Sequence, residues 1–200
     1  SNILSYCNIV LMEGKYFFWC FIIYLLNFGY KYYGGEKMTN TKKITRTLIP
    51  LAGGLIVGRL TAKAQDDYKH YRKPPFSPPA IAFPIIWPIL YTSMGVAYQR
   101  AMANAKNETE SSELKRAHYT QLGLNYVWSM LYFNLKFRKA SLLESYALLA
   151  AGSITATKFY KMDRTAGHLM VPYVMWLSYA SYLNGGNWIL NKDKEGYSRD

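Results

Sequence analysis

Between Lys73 and Arg100 the chain reads KPPFSPPAIAFPIIWPILYTSMGVAYQR, six prolines and no charged residue between its two cationic ends. A helix of about 20 residues rises roughly 30 Å, the thickness of a bilayer's hydrocarbon core. The run therefore predicts a membrane span behind a rigid, proline-set entry. Ser77 suits the N-cap, and Pro78 and Pro79 suit the first helical turn, where a missing N–H costs nothing. Pro84 and Pro88 fall inside the predicted helix and leave the carbonyls of Ala80 and Pro84 free, so a neighbouring group must satisfy them. On a helical count Phe83, Trp87, Tyr91, Gly95 and Tyr98 share one broad face. Such a face is either ordinary helix packing or the wall of a pocket for a flat apolar ligand.

Four more helices follow from the remaining pattern. Ile44–Ala64 carries Gly54 and Gly58 in a GxxxG with Gly53 beside it, a flat strip for close packing inside the molecule or in a homodimer. Arg59 lies about one turn from its end and can snorkel. The connector from Gln65 to Ser77 is polar and aromatic. Asn104–Glu113 reads as an exposed loop with a glycosylation pattern at Asn107–Thr109, and Ser111 or Ser112 as the cap of a helix reaching Leu135. On that helix Asn125, Trp128 and Tyr132 share a face. A mid-span Asn125 either bonds a carbonyl freed by a proline or orients a ligand's polar edge. After a basic turn at Lys136–Ala140, the fourth helix, Ser141–Tyr160, has Glu144 in its first turn. The fifth, Thr165–Leu190, places Trp176, Ala180, Leu183 and Asn187 on one face, with Trp176 the residue most expected to touch a ligand.

The expected fold class is all-α: an up-and-down membrane bundle of five helices over residues 38–191, with a charged, disordered tail over 192–200. Residues 1–37 form an extension whose apolar run Tyr16–Phe28 reads as an extra membrane helix, a signal anchor or sequence translated from upstream of Met38. Lysine and arginine divide evenly between the two sides of the bundle, so charge assigns no orientation.

A formal charge of +12 raises nucleic acid as a partner, but the cations sit between apolar runs, as in Lys42, Lys43 and Arg46 or Lys136, Arg138 and Lys139. That is the pattern of loops beside anionic headgroups, so the bilayer is the expected partner and nucleic acid is not. Cys7 and Cys20 make no metal or disulfide pattern, and His70, His118 and His168 stand far apart, as solvated or interfacial residues do. No nucleophile has a base beside it, and no glycine loop cradles phosphate. Catalytic residues, metals and cofactors are not expected.

KPPFSPPAIAFPIIWPILYTSMG resembles the signature of the translocator protein or tryptophan-rich sensory protein family (TspO/MBR, peripheral-type benzodiazepine receptor). LNYVWSMLYF (124–133) and VPYVMWLSYASYLN (171–184) resemble two further family segments in the right order, and the likeness spans about Ile44 to Asn191. The resemblance implies a membrane receptor or transporter-like protein that binds hydrophobic molecules within the bundle: porphyrins or haem precursors, sterols and benzodiazepine-type compounds. It implies a ligand site drawn from Phe83, Trp87, Tyr91, Asn125, Trp128, Trp176, Ala180 and Leu183, with the connector as a lid. For an animal member it implies the mitochondrial outer membrane. Two alternatives stay open: light- or oxygen-dependent porphyrin breakdown using Trp87, Trp128 and Trp176, and a membrane scaffold with no active site. The chain departs from the family pattern at Asp67, Phe76 and Ile81, where tryptophans are usual, and at Ala140. Gly185 and Ile189 stand where vertebrate members carry the tyrosine and arginine of a sterol-recognition stretch, which speaks against sterol handling at the last helix.

Overall fold

In the computed structural model, residues 41–65, 70–79 and 81–200 are described. The extension 1–37, both cysteines and Asp67 lie outside them. Five helices follow in order: α1 Thr41–Gln65, α2 Ala82–Ala103, α3 Glu108–Ser129, α4 Arg138–Met162 and α5 Arg164–Asn191. Met130–Leu135 continues α3 as a π-helical stretch, and there is no strand among the described residues. The described residues are all-α, as the apolar runs imply.

Consecutive helices are neighbours except α2 and α3, which stand apart across the bundle. Around the bundle the packing order is α1, α2, α5, α4, α3 and back to α1. Small residues set the closest approaches: a Cβ at Gly95 would sit 2.0 Å from the Thr47 carbonyl oxygen, and one at Gly54 would strike the Tyr91 ring. Arg100 at the end of α2 bonds Asp163 at 3.0 Å, and Asp163 caps α5 by accepting from the Ala166 N–H.

Several local expectations give way. Helix α2 begins at Ala82, so Pro78 and Pro79 precede it, Pro84 falls in its first turn, and only Pro88 is interior. Ser77 donates to the Pro74 carbonyl instead of capping α2. Asn107, not Ser111 or Ser112, caps α3, because its side chain accepts from the Glu110 N–H while Glu110 accepts from the Lys106 N–H. Because α4 starts at Arg138, Glu144 lies in its second turn, and both carboxylate oxygens are buried without a protein partner. His118 is not interfacial: it is fully buried, stacked on Tyr98 with ring centroids 4.0 Å apart.

The expectation that each helix reads as a span is not met, since no described helix is long and apolar enough to cross a membrane. The helices are 22 to 28 residues long, so polarity is what falls short. Part of that polarity on α3 and α5 faces inward: His118, Gln121, Asn125, Asn184 and Asn187 are all buried.

Candidate functional site

Helices α1, α2, α3 and α5 enclose a cavity of about 510 Å³. Phe83, Pro84, Trp87, Pro88 and Tyr91 descend one wall on α2. Their spacing of three to four residues keeps them on one face. Trp128, Tyr132 and Phe133 form the facing aromatic wall. Each wall carries a stacked ring pair, Trp87 on Tyr91 and Trp128 on Tyr132, both with centroids 5.3 Å apart. The π-helical stretch that carries Tyr132 and Phe133 widens the helix where it meets the cavity, a distortion common at functional sites. Ala180, Leu183, Asn184 and Asn187 of α5 close one end, and α1 contributes Gly54, Gly58 and Thr61 with Arg59 at the exposed rim.

Six of the eight residues named from sequence meet here: Phe83, Trp87, Tyr91, Trp128, Ala180 and Leu183. Trp176 does not. Its ring is 1 % exposed and stands behind the wall, edge-on to Phe83 and Trp87 at 5.9 and 6.2 Å. Asn125 does not line the cavity either. It accepts from the Tyr91 hydroxyl and donates to that of Tyr173, rather than bonding a carbonyl freed by a proline. The chain continues inward, with the Tyr173 hydroxyl donating to Gln121 at 2.7 Å. Both residues act on the site indirectly, by holding wall side chains in place.

At the cavity's polar end sequence reasoning placed Asn187 but left out Asn184. Asn184 is 2 % exposed and neither amide atom has a partner, and the Trp128 indole N–H is likewise unpaired. Unpaired buried groups of this kind cost about 1–3 kcal/mol each, so a molecule bound here gains by supplying a hydrogen-bonding edge. The i, i+4 relation of Asn184 to Ala180 was the available signal. Nothing local told its face from that of Tyr182. Among the described residues no cluster of potential ligands could hold a metal ion.

The connector's described part, 70–79, contributes no cavity-lining side chain. It lies along α5, where the Tyr182 hydroxyl donates to the Pro75 carbonyl at 3.0 Å, Tyr179 donates to Phe76, and Pro74 packs on Gly186.

Comparison with known proteins bears on this arrangement. The model of the TspO/MBR family matches residues 46–189. A translocator protein homolog of Schizosaccharomyces pombe is 32 % identical over 149 residues, covering 72 % of this chain and 89 % of its own. Tryptophan-rich protein TspO of Archaeoglobus fulgidus is 34 % identical over 155 residues, 77 % of this chain and 99 % of its own. The translocator protein of Homo sapiens is 26 % identical over 153 residues, 76 % and 89 %. With a family match across most of its length and relatives covered nearly end to end, the chain belongs to the TspO/MBR family.

Proposed function

We propose that this protein lies in a membrane and binds flat, hydrophobic molecules with a polar edge in the cavity between α1, α2, α3 and α5. The observation that carries this reading is the pair of stacked aromatic walls around 510 Å³, with the unpaired Asn184 amide at one end. A volume of that size suits a drug-sized or porphyrin-sized guest.

Membrane embedding rests on where the apolar surface lies. Leu55, Ile56 and Leu60 of α1, Leu143 of α4 and Ile189 of α5 are each about 60–70 % exposed, while His118, Gln121 and Asn125 are wholly buried. Large apolar side chains outside and polar ones inside favour lipid over water as the surrounding solvent. Mean hydropathy averages in residues such as Gln121, Asn125, Asn184 and Asn187 that lipid never meets, so the low apolarity of α3 and α5 is compatible with this reading.

Protoporphyrin IX, cholesterol and a benzodiazepine-type compound are the probes, titrated against the protein in lipid nanodiscs with tryptophan fluorescence as the readout. Saturable quenching by at least one supports the pocket, and quenching by none leaves the scaffold reading. Loss of porphyrin absorbance under illumination supports the alternative of porphyrin breakdown. If the chain follows animal members it resides in the mitochondrial outer membrane. Fractionation of the tagged protein tests that address.

A further inference from the structure

The segment after α5 is expected from its charges to be disordered, yet it folds back onto the bundle. Tyr197 is fully buried. Its ring meets Tyr71 of the connector edge-on at 4.9 Å and Trp188 at 6.3 Å. Ser198 accepts from the Arg138 N–H, and Arg199 donates its N–H to the Lys136 carbonyl. The Asp200 carboxylate accepts from the N–H groups of Lys139 and Ala140 at 3.1 and 2.7 Å. Phe137 supplies no side-chain cap to α4, so Asp200 does that work from the far end of the segment.

The connector is held by α5 and by this segment together, Asn191 being the last residue of α5. Asn191 clamps the backbone of Arg72 at two points, accepting from its N–H at 2.9 Å and donating to its carbonyl at 2.8 Å. The Lys194 ammonium donates to the His70 carbonyl at 3.0 Å and lies over the Tyr71 ring. The Tyr71 hydroxyl reaches the Gly196 carbonyl at 3.4 Å. Further along, Phe76 is held at a φ of 62°, a left-handed conformation a bulky residue adopts only when its surroundings impose it.

Arg138 joins this assembly to the cavity. Placed by its sequence in a basic turn beside headgroups, it is instead fully buried. Its guanidinium lies 4.0 Å over the Tyr132 ring, 5.2 Å from that of Tyr197 and 5.6 Å from that of Tyr71, and its Nε donates to the Tyr197 carbonyl at 3.3 Å. A cation in such a desolvated cage of rings interacts more strongly than an exposed one. Tyr132 is a wall residue of the cavity, so one cation touches the segment, the connector and the ligand wall.

We infer that segment 192–200 is a latch on the binding cavity: it holds the connector against α5 and, through Arg138 as a positioning residue, fixes Tyr132 in the wall, so that its release sets the rate of ligand exchange. This rests on the cavity being the binding site.

The test compares Tyr197→Ala and the milder Asp200→Asn with wild type in nanodiscs. Lys192→Ala, at an exposed position, serves as control. One readout needs no ligand: amide hydrogen exchange of 70–77 rises about tenfold in the latch variants, as expected when a buried ring contact and its hydrogen bonds are lost. The other is the dissociation rate of protoporphyrin IX, which rises by a similar factor, while the control moves neither. Unchanged exchange in both latch variants overturns the latch. Faster exchange with an unchanged dissociation rate overturns its coupling to the cavity. Should wild type fail to bind protoporphyrin IX, the cavity reading falls and the coupling with it, while the exchange readout still judges the latch on the connector.

Discussion

Trp176 meets Trp87 edge to face, their ring centroids 6.2 Å apart and their planes at 86°. Only Trp87 of the two faces the cavity. The relation makes Trp176 a buttress, because its ring is packed at the back of Phe83 and Trp87 and leaves a guest no direct access to it.

Trp176→Ala is therefore expected to lower stability by about 3–5 kcal/mol, as emptying an aromatic core site does. It should weaken protoporphyrin binding only because the wall slumps into the space. Trp176→Phe should recover most of both. Thermal unfolding and a fluorescence titration of the two variants check this. A stable Trp176→Ala protein with abolished binding would show that the indole touches the ligand after all.

Asn125 stands between two tyrosine hydroxyls, so Asn125→Leu strands that of Tyr91 in the interior, while that of Tyr173 keeps its bond to Gln121. A loss of about 1–3 kcal/mol is expected for unsatisfied buried groups. Tyr91, released from its partner, should also bind guests less well. Chemical denaturation of the variant beside Tyr91→Phe separates the two effects, since Tyr91→Phe removes one hydroxyl and leaves the Asn125 to Tyr173 bond in place.

Two glycines should behave in opposite ways. Gly95→Ala drives a methyl onto the backbone oxygen of Thr47, which cannot move without parting α1 from α2, so the protein should lose several kcal/mol or fail to fold. A Cβ at Gly58 meets nothing within 4 Å and points into space that the cavity owns. Gly58→Leu should fold at least as well, given the roughly 1 kcal/mol that glycine costs a helix, while the larger side chain occupies the cavity and reduces affinity tenfold or more. Equal affinity in Gly58→Leu and wild type would place the guest elsewhere.

At the polar end of α3, Glu113 and the Lys158 ammonium of α4 lie 2.6 Å apart. The hydrogen bond from Lys158 holds the Glu113 carboxyl below its ordinary range. A carboxylate depressed in the folded state stabilises above its unfolded pKa, and that stabilisation is lost as pH falls through the folded value. The small difference in melting temperature between wild type and Glu113→Gln should be present at neutral pH and vanish on acidification. A difference independent of pH would assign the effect to packing.

Much of the fold was legible because apolar runs and turn residues are local signals. The uncharged stretch after Lys73 held a long helix, which begins at Ala82. The spacing of Phe83, Trp87 and Tyr91 put them on one face whatever that face met. Helix starts were less legible: Ser77 looked like a cap, but Pro78 and Pro79 delayed the helix to Ala82 and the Ser77 hydroxyl found the Pro74 carbonyl first.

The amino-acid sequence on its own determined that the described residues are helical, how many helices they form, and which aromatic residues share a face, because helical periodicity is written within a few turns of chain. Tertiary structure decided whether a side chain on that face lines the hollow or stands behind it, as Trp87 and Trp176 show. It also decided that segment 192–200, six of whose nine residues are charged, folds back onto the bundle instead of waving in solvent, because Tyr197 and Arg138 find each other across 59 positions of sequence. Contacts between distant segments depend on how whole helices stack, and no local spacing encodes that.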